Sequence, residues 1–156
     1  MALIFPKTTP TCYVSSIVAL NIYSPKGTGD WHKHAILGAA NPLPEFIYLY
    51  GENQRYNTNH LLSQQGIIDG TERLAWLGYT YDNAPIYIAD HPRACFDMLY
   101  THSLQTGIVN NIILEDWFPA FEDKQDVYDL IYQAEDKLNH LEKERLQKWK
   151  IFNPFQ

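Results

Sequence analysis

The strongest periodic signal lies near the carboxyl end. From Asp126 to Trp149, Val127, Leu130, Ile131, Ala134, Leu138 and Leu141 recur at helical spacing. Glu135, Asp136, Lys137, Glu142, Lys143 and Glu144 fill the opposite positions. One apolar stripe and one charged face predict a long amphipathic C-terminal helix over 124–149, of about six turns. Such a stripe packs on its own domain or on a second copy, so a homodimer through this helix is one expectation.

Upstream the pattern shortens. "EFIYLYG" at 45–51 and "PIYIAD" at 85–90 are brief runs rich in β-branched and aromatic residues, and predict strands. Residues 11–23 carry both signals; the spacing of Val14, Ile17, Val18 and Ile22 favours a helix. A short helical piece is expected at Leu61–Gln65. A second helix runs through "ERLAWLG", opened by Asp69 or Thr71 and stopped by Gly78. After Asp90, "HPRACFDMLYTHSLQTG" predicts a helix with Pro92 in its first turn and Gly107 at its close. Residues 1–10, broken by Pro6 and Pro10, are expected to be irregular. The sum is an α/β or α+β single domain over 1–156, with a small sheet covered by helices.

Composition narrows the function classes. Aromatics make up 14% of the 156 residues, enough to fill a core and still anchor an interface. The net charge of -6 argues against a nucleic-acid partner held by phosphate contacts and suits a basic protein partner. No apolar run approaches membrane-spanning length, and the amino end lacks the apolar core of a signal peptide. Cys12 and Cys95 are the only cysteines and form no CxxC pair, so reduced thiols in a cytoplasmic protein are expected.

Three stretches carry candidate chemistry. In "SPKGTGDWHKHAILG", residues 24–38, Asp30, His32 and His34 are the densest ligand-type residues. Gly27 and Gly29 permit positive φ, Asp30 caps a helix from Trp31 to Leu37, and Trp31 plugs the core. On a helix the two histidines stand about 200° apart, so no metal is expected here. Asp30 also opposes a phosphate at the turn. The second stretch, "YGENQRYNTNHLL", places Arg55, Asn57, Asn59 and His60 after a strand, where ligand sites often form. Together with Asp30, Trp31, His32 and His34 they make the candidate ligand- or partner-binding set of a small enzyme or ligand-binding domain. No cofactor is implied. Arg93 and Asp97, at i and i+4, form the third candidate, an ion pair on one helix face. No GxSxG elbow or other nucleophile motif is present.

"IYIADHPRACFDMLYTHS", residues 86–103, resembles the core motif of AbiEi-type antitoxins, in which a short apolar strand leads into a "PERALLDLLY"-like helix. Pro92, Arg93, Ala94, Asp97, Leu99 and Tyr100 carry the match, with Arg93 where the family usually has Glu. The resemblance implies a bacterial, cytoplasmic protein of the type IV toxin–antitoxin class. Its partner would be a nucleotidyltransferase-like toxin, neutralised by protein–protein contact. The family's winged helix has no counterpart in the first 40 residues, so DNA binding is not implied. "NIYSPKGTGDWH" is also similar to a motif of an uncharacterised bacterial family with no activity attached.

Overall fold

Successive residues of the first strand, β1 (Cys12–Val14), face opposite sides, and each side meets its own apolar cluster. The structure is a computed structural model and describes residues 6–28, 43–76 and 85–155. Tyr13 of β1, Tyr50 of β2 (Leu49–Gly51) and Ala89 of β4 (Tyr87–Ala89) join the larger cluster. Val14, Leu49 and Ile88, their chain neighbours, join the smaller one. The sheet is therefore buried on both faces. Its order is β2-β1-β4-β3, with β3 at Ile67–Asp69. β1 runs antiparallel to β2 and parallel to β4, while β3 is antiparallel to β4.

Eight helices surround this sheet among the described residues. Four short ones fill the connections: α1 (Ser16–Leu20), α2 (Glu45–Tyr48), α3 (Asn59–Leu62) and α4 (Thr71–Trp76). The central helix α5 (His91–Leu99) continues as one wide π-helical turn, Tyr100–Leu104. α6 (Leu114–Trp117), α7 (Phe121–Glu135) and α8 (His140–Phe152) complete the chain. α5 packs between α1 and α7, and its Phe96 and Leu99 are buried in the larger cluster. The architecture is α+β, with a small mixed sheet covered by helices.

The long amphipathic C-terminal helix is present, but it is divided. Asn139 interrupts the expected run because its side chain accepts from the Glu142 N–H while Glu142 reaches back to the Asn139 N–H, a complete capping box. Val127, Leu130, Ile131, Ala134 and Leu138 pack inward as the stripe predicts, but beyond the cap Leu141 faces solvent and Leu146 and Trp149 fill the core. Other differences are local. Residues 11–23 form a strand followed by a helix, combining both signals. In "EFIYLYG" only Leu49–Gly51 is extended, and Glu45–Tyr48 is a helical turn. Strand β3 follows a glycine-containing turn and carries only three residues, too few for a periodic signal.

Candidate functional site

The motif helix begins at a strand end. β4 finishes at Ala89, and Asp90 takes extended backbone and caps α5 by accepting the Arg93 N–H at 2.9 Å. Pro92 fits the first turn, where no N–H is needed. Gly66 (φ +76°) sits against this corner: its carbonyl accepts the Asp90 N–H at 2.7 Å. A Cβ at Gly66 would lie 2.6 Å from Arg93 Cβ and 2.8 Å from Asp90 Oδ1. Only glycine permits both the conformation and the approach.

Inward from this corner, Arg93 and Asp97 form the expected pair, with Nε 3.2 Å from Oδ1 and no exposed surface on either side chain. The structure buries Asp97 fully. Burial is tolerated because every polar atom is used. Arg93 Nη1 donates to the carbonyls of Ser63 (3.1 Å) and Gln65 (2.6 Å). Nη2 donates to Tyr13 Oη and Thr58 Oγ1, both at 3.0 Å. Asp97 Oδ2 accepts from the hydroxyls of Tyr13 and Ser15 at 2.7 Å each, and Oδ1 accepts from Thr58 at 2.5 Å. The pair is a structural tie between β1, the cap of α3 and α5, shut off from any substrate.

His91 is equally committed. Its Nε2 lies 2.7 Å from the Ile22 carbonyl, which can only accept, so Nε2 carries the proton. Nδ1 then accepts from Thr28 at 2.9 Å. Burial holds the imidazole below its ordinary pKa, so it is neutral.

Outside these ties, at the carboxyl end of β4, lies a cleft of about 570 Å³. Ser24, Pro25, Lys26 and Thr28 form one wall. Gln65, Gly66, Arg73 and the Asp90–Pro92 corner also line the cleft, as do Asp126, Asp129, Leu130 and Gln133 of α7. Lys26 bonds Asp126 at 2.7 Å, which raises the lysine pKa. Burial pushes the Asp90 carboxyl up, opposed by the Arg93 N–H and by the charges of Arg73 and Arg93. Among the described residues no three His, Cys, Asp or Glu side chains converge to hold a metal ion.

The two other sequence candidates fall elsewhere. Asp30, Trp31, His32 and His34 lie outside the described residues, as do Gly29 and Gly78. The turn before them is described: Gly27 has φ +68°, and Thr28 enters the cleft. The loop 52–60 gathers at the start of β1, where Gly51 pairs with Cys12, away from the end of β4. There Arg55 lies over the rings of Phe46 (5.2 Å) and Tyr56 (5.4 Å). Asn57 caps the chain by accepting the Asn59 N–H at 2.9 Å, and His60 meets Tyr100 edge-on. Asn59 donates to the Thr11 carbonyl at 2.9 Å, and its own Oδ1 is buried without a hydrogen-bond partner among the described residues.

Sequence reasoning did not single out Arg73, Asp129 and Gln133. The signal for the latter two is the polar row Asp126, Asp129 and Gln133 on α7, beside the apolar stripe. Arg73 enters only through tertiary placement. Comparison with protein-family models, curated proteins and solved structures finds no match.

Proposed function

We propose that this chain is an antitoxin-like protein that neutralises a nucleotidyltransferase-like partner by direct contact. One observation carries the reading: residues 86–103 form strand, cap and helix in the order of the AbiEi-type motif. The matching Arg93 and Asp97 are buried ties, so they support the scaffold and leave contact to exposed groups. The acidic face of α7 beside the cleft is the surface best suited to a basic partner. Glu122 and Asp129 are exposed there and Asp123 and Asp126 partly so, in a chain of net charge -6. In this reading the protein works in the bacterial cytoplasm. No helix among the described residues is long and apolar enough to cross a membrane.

The test is co-expression with the nucleotidyltransferase-like protein encoded beside this chain. The expected result is rescued growth and co-elution of the two proteins. Undiminished toxicity with no complex, or the absence of any such neighbour, overturns the reading.

A further inference from the structure

The cleft at the end of β4 holds an unbalanced set of charges. Lys26 and Asp126 neutralise each other across its rim. Arg73, half-buried on α4, makes no ion pair or hydrogen bond to any described residue, and neither does the Asp129 side chain on the facing helix. Asp90 spends Oδ1 on the α5 cap, leaving Oδ2 without a hydrogen-bond partner among the described residues. One cation and two carboxylates therefore face the same space with their hydrogen-bonding capacity open. The charge of Arg73 lowers the Asp90 carboxyl against the upward push of burial, but the two side chains do not pair directly.

Charge decides what fits. A phosphate at the α5 amino end meets the Asp90 carboxylate already there, with Asp126 and Asp129 opposite. A simple cation leaves Arg73 unanswered. A molecule carrying both an ammonium and a carboxylate answers both: its carboxylate takes the planar guanidinium of Arg73, and its ammonium takes Asp90 or Asp129. Gln65 and Gln133 add amide groups, and Leu130 with Pro92 adds an apolar surface for a side chain. The volume of about 570 Å³ falls within the range of small-molecule sites.

We propose that this cleft is a binding site for a small zwitterion of the amino-acid class, held between Arg73 and the carboxylates of Asp90 and Asp129. The inference stands apart from the partner reading, because it needs no second protein.

The test is an amide-resonance titration of the full chain with free L-amino acids at millimolar concentration. Each is compared with its N-acetyl form, which lacks the ammonium, and its amide form, which lacks the carboxylate. At least one free amino acid is expected to shift Gly66 and Gln133, with both blocked forms at least about tenfold weaker. Arg73→Gln is expected to weaken binding about tenfold without changing the thermal midpoint of the free protein. Asp90→Asn keeps an oxygen for the cap and is expected to weaken binding as well. The proposal is overturned if no free amino acid moves these resonances. It is also overturned if the blocked forms bind equally, or if Arg73→Gln and Asp90→Asn leave binding unchanged.

Discussion

Arg93 Nε lies 3.2 Å from Asp97 Oδ1 inside the core, and neither side chain has any surface in water. The guanidinium spends all five of its N–H groups, on Asp97, two carbonyls and two hydroxyls. A buried pair of this kind gains little over an apolar replacement, but removing one partner strands the other. Asp97→Ala is therefore expected to lower unfolding stability by about 3–5 kcal/mol, measured by chemical denaturation. A single-variant loss below about 1 kcal/mol would contradict the assignment.

Gly66 tests the corner that carries Asp90. Gly66→Ala places a methyl group against Arg93 Cβ and imposes φ +76° on a residue with a side chain. An expected loss of about 1–3 kcal/mol follows from the strained backbone alone. Gly27 also has positive φ, at +68°, but meets nothing within 4 Å, so Gly27→Ala is expected to cost less. Thermal denaturation of the two variants side by side gives the comparison, and equal losses would count against the close approach at Gly66.

The motif was legible in sequence because capping and helix chemistry are local. Asp90 before a Pro-containing turn, and Arg93 four residues before Asp97, announce themselves within one short stretch. The depth of that pair was not legible, because Tyr13, Ser15 and Thr58, which satisfy it, come from distant segments. Asn139 hid for a different reason. In the sequence Leu141 follows Leu138 at helical spacing, so periodicity alone reads straight across the capping box, although Leu141 itself faces solvent. Arg73 was not legible because it reaches the cleft only through tertiary placement: β3 runs antiparallel to β4, away from the Asp90 corner, and this three-residue strand leaves almost no pattern to position α4.

His91 makes stability depend on pH in a defined direction. Burial lowers its folded-state pKa below the ordinary 6.5, so the unfolded chain binds the extra proton first. The stability it contributes is present above pH 6.5 and is lost as pH falls through the folded-state value. Denaturation midpoints measured from neutral pH downward are expected to fall less steeply in His91→Gln than in the parent chain. An unchanged slope would show that the imidazole is not held neutral.

Asp90 acts with the opposite sign in a more acidic window. Its folded-state pKa is raised above the ordinary 3.8, so its contribution is full below that value and is lost as pH rises through the folded-state pKa. Asp90→Asn keeps the cap and removes the desolvated charge. At neutral pH it is expected to be at least as stable as the parent chain, whereas Asp90→Ala is expected to lose about 1 kcal/mol with the cap. Equal losses in the two variants would mean that the charge itself stabilises the fold.

The most direct test of the functional proposal is equilibrium binding between the full chain and a nucleotidyltransferase-like protein of the proposed partner class, with Asp129 as the probe. Asp129 is exposed on α7, lines the cleft and makes no ion pair or hydrogen bond to any described residue. A measurable complex is predicted, weakened about tenfold or more by Asp129→Lys and weakened further by salt. No complex, or one indifferent to the charge reversal, would contradict the account.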